Sequence, residues 1–282
     1  MELNGLISGI AARAATANPR ENGDYTEGGL LHCGKCRTPK QTRINLLGQE
    51  MTVACMCRCE QERDEAARRA ELERERLQRI ERLRREAFPE AELRGCTFDR
   101  DDGANPKLSR VCRGYAEQFA RMKAEKRGLL LYGSVGTGKT FLAACIANAV
   151  VDQGYSALVT NFFRLSNEIS GQRKDAQAFL DSLRACDLLV IDDLAAERDT
   201  EYMAELVLNL VDTRYRQGLP LIVTTNLTGE ELRKPAELRR ARTYSRLLEM
   251  CLPLEVRGKD RRREALKRSY ADEMAMLLGS GG

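Results

Sequence analysis

Residues 133–140 read GSVGTGKT, set between the apolar run Leu129, Leu130, Leu131, Tyr132 and the helix-forming stretch FLAACIA at 141–147. This order predicts strand, glycine-rich loop and helix, and it meets the pattern G-x-x-x-x-G-K-[ST] at every fixed position. The residue types explain the chemistry. Gly133, Gly136 and Gly138 let the backbone wrap so that its N–H groups, with those of the following helix N-terminus, face an anion. Ser134, Val135 and Thr137 complete the loop, and Phe141 enters the helix. Lys139 is placed for the β- and γ-phosphates, and the Thr140 hydroxyl for Mg²⁺. The expected ligand is a nucleoside triphosphate, so the chain must supply a parallel sheet to carry this loop.

A length of 282 residues with 43% apolar side chains is enough for one large domain or two modest ones. No apolar run is long enough to span a membrane, and no apolar stretch follows the first basic residues as in a signal peptide. The net charge of +4, from 46 basic and 42 acidic residues, is too balanced to predict nucleic-acid binding by itself. An intracellular nucleotide-binding chain keeps its thiols reduced, so the expected compartment is the cytoplasm and clustered cysteines point to metal.

Of the ten cysteines, five fall between positions 33 and 59. Cys145 and Cys186 sit among apolar residues, where the thiol acts as a small hydrophobe. After a flexible segment over 1–30, in which 1–15 can form a short helix, His32-Cys33-Gly34-Lys35-Cys36 is followed by Cys55-Met56-Cys57-Arg58-Cys59. Two cysteine groups at this separation predict a structural zinc module over 31–60. Four of the five thiols suffice. Cys33, Cys36, Cys57 and Cys59 are the first choice, Cys55 is the alternate, and His32 stands behind them. An all-thiolate site leaves no open position for chemistry, so the module reads as a docking element.

Residues 61–88 are almost all Glu, Arg, Ala and Leu, a charged connector helix supported by i,i+4 pairs. Leu72, Leu77, Ile80 and Leu83 form only a partial seam, and Pro89 ends the helix. Residues 94–278 then alternate strand and helix. An amphipathic helix over 107–127 carries Val111, Tyr115, Phe119 and Met122. Strands follow at 156–160, 187–193, 219–226 and 251–256, with helices at 161–170, 178–185, 200–216 and 236–249 and a last one in 257–278. DLLVIDD at 187–193 is continuously apolar until its two acids, as befits a strand buried on both faces whose carboxyl end meets the ligand. Asp192 is therefore expected in the Mg²⁺ shell, Asp193 as the group that orients or deprotonates the attacking water, and Asn226 across from them.

A P-loop on the first of five strands, paired acids on the third and a polar tip on the fourth resemble an AAA+ ATPase. DLLVIDD, then ERDTEYMAELVLNLVDTRYRQGLPLIVTTNLT, then RTYSR resemble the replicative helicase loaders of the DnaC/DnaI type, and the related IstB-type transposition ATPases share this core. The resemblance covers residues 94–278; the cysteine cluster resembles the zinc-bearing, helicase-binding domain of DnaI-like loaders in character more than in letters. The fold it implies is α/β, a five-stranded parallel sheet. Lys139 and Thr140 match Walker A. Asp192 and Asp193 match Walker B, where many AAA+ proteins have Glu second, so the shorter Asp193 implies slower hydrolysis. Asn226 matches sensor 1. Arg246, with Arg242 next in line, matches the arginine finger that acts on a neighbouring subunit's ATP. Arg261 is similar to the sensor 2 arginine, and Thr200 with Tyr202 falls where these loaders meet single-stranded DNA. About 25 residues follow the last strand, which implies a reduced lid and weak turnover until a partner completes the site.

The expected function is thus a Mg-dependent ATPase that loads a DnaB-type hexameric replicative helicase, binding the helicase through the zinc module and single-stranded DNA through the self-associating ATPase domain. Its rivals are an IstB-type transposase-assisting ATPase and a nucleotide-dependent adaptor with little hydrolysis.

Overall fold

Leu129 and Leu131 of one strand face one hydrophobic cluster, and Leu130 between them faces another. That alternation is the strand's own period of two, with apolar side chains at both phases because helices cover both faces. In the computed structural model, which describes residues 20–46, 48–161, 164–165, 176–194, 201–235, 237–261 and single positions between 263 and 276, the chain separates into two compact units, Met1–Leu77 and Gln78–Gly282.

The second unit is built on a five-stranded sheet in the order β6-β7-β8-β5-β9, every neighbouring pair parallel. Its strands are β5 (Gly128–Tyr132), β6 (Ala157–Asn161), β7 (Leu188–Leu194), β8 (Leu221–Thr225) and β9 (Cys251–Glu255). On one face α4 (Lys139–Asp152) lays Leu142, Ile146, Val150 and Val151 against Leu129, Leu188, Val190 and Ile222. On the other, α6 (Glu201–Gln217) and α8 (Leu238–Met250) supply Val207, Val211 and Leu247 to Leu189, Ile191 and Val223. Each fully buried leucine contributes about 2–3 kcal/mol of transfer free energy. Ala176–Ala185 (α5) leads into β7, and the short α7 (Gly229–Arg233) opens on a capping box between Thr228 and Glu231. Cys145 and Cys186 are buried at 1% and 8% exposure, as small hydrophobes should be.

The helix expected over 107–127 is broken. It forms α2 (Pro106–Glu117) and α3 (Phe119–Ala124), with Gln118 at φ −99, ψ 22 between them. The break turns Phe119 fully into the core, where its ring lies edge-on to Tyr115 and Tyr155 at 6.3 and 5.1 Å, while Val111, expected inside, is 43% exposed. Arg214 on α6 is fully buried and donates to the carbonyls of Cys186 (2.6 Å), Asp187 (3.3 Å) and Pro220, tying the end of α5 to the entries of β7 and β8. Burial lowers the pKa of its guanidinium.

The long charged helix α1 (Arg58–Ala87) crosses from one unit into the other. Its exposed pairs, such as Arg58–Glu62 and Arg69–Glu65, are of the kind worth a few tenths of a kcal/mol each. Its last turns are less solvated than a pure connector, because Ile80, Leu83 and Ala87 join the core of the second unit with Phe88. Among the described residues no helix is long and apolar enough to cross a membrane. The helix expected in 1–15, and most of those expected in 161–170 and 257–278, lie outside the described residues.

The first unit holds two antiparallel hairpins, β1 (Tyr25–Glu27) with β2 (Leu30–His32) and β3 (Gln41–Leu46) with β4 (Gln49–Ala54). Asp24 organises the entry to them. It accepts from the buried Lys40 ammonium (2.9 Å) and from the backbone N–H of Gly34 (3.0 Å) and Glu21 (3.0 Å). Gly34 has no alternative, since a Cβ there would lie 2.0 Å from the Gly23 carbonyl.

Arg214→Met takes a donor from the Cys186, Asp187 and Pro220 carbonyls and lowers unfolding free energy in urea by about 2 kcal/mol, even though it removes a desolvated cation. The Lys40 ammonium, then the Gly34 and Glu21 amides, hold Asp24 down from 3.8 to about 2. A depressed carboxylate stabilises above its unfolded pKa and loses that contribution as pH falls through the folded one. Asp24→Asn should therefore speed amide exchange at Gly34 at neutral pH, with the difference shrinking below about pH 4 and wild type and variant converging only below about pH 2; equal exchange at pH 7 would remove Asp24 from this role.

Candidate functional site

The loop between β5 and α4 and the carboxyl ends of β7 and β8 meet at a cleft of about 390 Å³. Gly138 stands at the N-cap of α4 with φ 95, a conformation that a side chain disfavours, and no side chain caps the helix. The first N–H groups of α4 are thus free of a side-chain cap, the arrangement that suits an anion. Lys139, only 6% exposed, donates from Nζ to the carbonyls of Gly133 (2.9 Å) and Ser134 (2.7 Å) and to Asn226 Oδ1 (2.8 Å). Thr137 is buried and donates to the Ser134 carbonyl, whereas Val135 lies at the exposed lip.

The paired acids reach the cleft through an irregularity. Between Ile191 and Leu194 the pairing of β7 with β8 shifts register, and Asp193 adopts φ 60. Regular alternation would send neighbouring side chains to opposite faces; a bulge with one left-handed residue re-aims them. The Asp192 carboxylate accepts from the Thr140 hydroxyl (2.9 and 3.1 Å) and from Thr224 Oγ1 (2.6 Å). The Asp193 N–H donates to the same Thr224 oxygen (2.9 Å), and its carboxylate accepts from Asn226 Nδ2 (2.7 Å). A hydroxyl and a carboxylate side by side are the hard oxygen donors that suit Mg²⁺.

The structure therefore brings Lys139, Thr140, Asp192, Asp193 and Asn226 into one hydrogen-bonded group. It also brings Arg261, whose N–H donates to the Gly136 carbonyl (2.9 Å) and whose guanidinium is 3.1 Å from Asp102. Arg246 and Arg242 lie elsewhere, on α8. Arg246 is 3.2 Å from Asp212 and stacks over the Tyr215 ring at 4.4 Å, and Arg242 is exposed. Tyr202 belongs to the first turn of α6, but its side chain, like Thr200, lies outside the described residues. Three residues absent from the sequence reading line the same cleft: Thr224, which orients both acids, and Leu93 and Cys96, which with Phe141 give it an apolar wall. Thr224 could have been suspected from its place beside Asn226 in TTN. Leu93 and Cys96 carry no motif.

In the first unit, the Sγ atoms of Cys33, Cys36, Cys57 and Cys59 lie within 4.8 Å of one another, with Cys33–Cys59 at 3.6 Å and Cys57–Cys59 at 3.4 Å. A tetrahedron of thiolates around zinc needs sulfur–sulfur separations of about 3.8 Å, so this set fits the ion. Cys55 falls outside the group, with its thiol toward the Pro39 carbonyl at 3.5 Å. The Thr38 hydroxyl, then backbone N–H groups, hold the Cys36 thiol down at about 5, and the neighbouring thiols push Cys59 up to about 12. Four thiols so close cannot all ionise without a cation among them.

The replicative helicase loader DnaI of Bacillus subtilis (strain 168) is 27% identical over 195 residues, which are 64% of this chain and 62% of DnaI. The chain thus spans less than two thirds of that relative. The replicative helicase loader DnaC of Escherichia coli (strain K12) is 28% identical over 178 residues, 60% of this chain and 71% of DnaC. A crystal structure of the DnaC helicase loader superposes with a TM-score of 0.50 at 24% identity, over 59% of this chain and 99% of that one, a likeness of fold. The sequence model of the IstB-like ATP-binding proteins matches residues 49–269, most of the chain and the whole of the cleft just described: the chain belongs to the IstB-like ATP-binding protein family.

Proposed function

We propose that this chain is an ATP-hydrolysing loader of a hexameric replicative helicase. The observation that carries the hydrolytic part is the continuous hydrogen-bonded group from Lys139 through Asn226 to Asp193, with Thr140 and Asp192 beside it. In this reading the loop amides from Gly133 to Thr140 and the Lys139 ammonium hold the triphosphate, and Leu93, Cys96 and Phe141 face the base and sugar. Thr140 and Asp192 hold Mg²⁺, which when bound offsets phosphate charge. Asp193 takes the proton from water as its oxygen attacks the γ-phosphorus, and the bond to the leaving oxygen of ADP breaks. Asn226 orients that water and keeps Lys139 and Asp193 in step.

Support for the loading part is the likeness to DnaI and DnaC, together with a thiol cluster ahead of the ATPase unit. The module at 31–60 binds zinc through Cys33, Cys36, Cys57 and Cys59 and docks the helicase. Residues 61–88 join it to the ATPase domain at 94–278, which self-associates in the cytoplasm and holds single-stranded DNA, with Thr200 and Tyr202 among the contacts. Arg246, held between Asp212 and Tyr215 on the surface of α8, completes the ATP site of the next subunit, with Arg242 beside it. Arg261 senses the phosphates.

Asp193→Asn should cut steady-state ATP turnover by about 10²–10³-fold with nucleotide affinity retained. Unchanged turnover would sink the hydrolytic reading and leave the adaptor. In the full chain, Cys57→Ser should lose the bound zinc and the capture of the helicase together, whereas Cys55→Ser keeps both. A wild-type chain that captures no helicase, with or without a chelator, would instead favour a transposase-assisting role.

A further inference from the structure

Asn148 lies on α4, the helix that Lys139 opens, and is 3% exposed. Its Nδ2 donates to the carbonyls of Leu93 (2.9 Å) and Cys96 (2.9 Å), across the chain, and to that of Ala144 (3.1 Å) one turn back. Its Oδ1 is buried without a hydrogen-bond partner. The orientation of the amide is fixed by this network, because the reverse placement would set an oxygen against three carbonyls. A side chain that leaves its own oxygen bare in the interior is kept for its donors, since packing alone would be served by leucine.

What those donors hold is the single turn Ala91–Gly95 and the residue after it, where the Cys96 N–H donates back to the Leu93 carbonyl (3.2 Å). The side chains of Leu93 and Cys96 form, with Phe141, the apolar wall of the cleft. The opposite part of the cleft, with Lys139, Asp192, Asp193 and Asn226, is held by bonds in which Asn148 takes no part. The two parts of the cleft are therefore fastened by separate sets of residues.

We infer that Asn148 is a positioning residue for the base-and-sugar end of the nucleotide: it fastens Leu93 and Cys96 to α4 and so sets nucleotide affinity without touching the nucleotide. The inference rests on the reading of this cleft as an ATP site. A shell that holds a wall in place matters because small displacements of the wall are felt in binding, while the phosphate-binding loop and the acids keep their own geometry.

The test compares MgATP with inorganic tripolyphosphate, which lacks base and sugar, by calorimetry on the full chain. Asn148→Leu should weaken MgATP about tenfold, the equivalent of one net hydrogen bond of positioning, and leave tripolyphosphate within about twofold. The single-turnover rate at saturating ATP should be unchanged. Leu93→Ala with Cys96→Ala should give the same ATP-specific loss, and adding Asn148→Leu to that pair should add little, since both act through one wall. Asn148→Ser, whose hydroxyl is too short to reach the turn, must reproduce the pattern if the leucine variant fails to fold. Equal losses for ATP and tripolyphosphate, or none for ATP, would overturn the inference. A wild-type chain that binds neither probe would instead overturn the ATP-site reading beneath it.

Discussion

Asp193, at φ 60 where β7 loses register with β8, is the constraint from which the rest of the site follows. A regular strand would spend one of its two terminal acids on the far face of the sheet. The bulge keeps both in the cleft, and Thr224 secures it by accepting from the Asp193 N–H while donating to the Asp192 carboxylate. The left-handed region is tolerated by Asp several-fold better than by most residues, which gives a local reason for the shorter acid at this position. The sheet order puts β8 between β7 and β5, so Thr224 and Asn226 emerge between the acids and the phosphate loop. Sheet topology, not adjacency in the chain, assembles the group.

Wherever a pattern was local, the sequence was readable. The five strands, the loop at 133–140 and the acids of 187–193 were all visible, since continuous apolar runs and glycine spacing report directly on buried strands and tight turns. The break at Gln118 was not, because the apolar spacing runs through it and only the packing of Phe119 against Tyr155 decides it. Both hairpins at 25–54 also leave no such local pattern. Their strands are short and mostly solvent-facing, with Ile44 and Leu46 exposed, so no buried face imposed an alternation. Leu93, Cys96 and Asn148 illustrate a further limit: their bonds join positions far apart in the chain through carbonyls, which carry no side-chain signature.

The thiol module shows how the same logic resolves a choice that spacing left open. Cys55 and Cys57 are equivalent by spacing, but Cys55 follows β4, with its N–H on the Lys40 carbonyl and its thiol toward Pro39. Cys57 comes after the strand has ended, at the entry to α1, and Cys59 lies on the first turn of that helix. A helix start beside a C-x-x-C knuckle converges two pairs of thiols with little help from a core. The buried Asp24–Lys40 pair then does the work that apolar packing does in larger domains, fixing Gly34 between the two cysteines of the knuckle.

The geometry at Asn226 bears on whether the cleft only holds a nucleotide or also cleaves it. Binding alone needs the loop, Lys139 and the helix N-terminus. It does not need a left-handed Asp193, a conformation that costs on the order of 1 kcal/mol and persists only where surrounding bonds enforce it. Nor does it need an amide with one end on Lys139 and the other on Asp193. Only one orientation of that amide satisfies both neighbours, since the ammonium can only donate and the carboxylate only accept. Asn226 therefore links the Lys139 ammonium to the Asp193 carboxylate through two short hydrogen bonds. In the proposed hydrolysis, wiring of this kind would let the position of the phosphates govern the acid, a demand that passive retention of a nucleotide does not make.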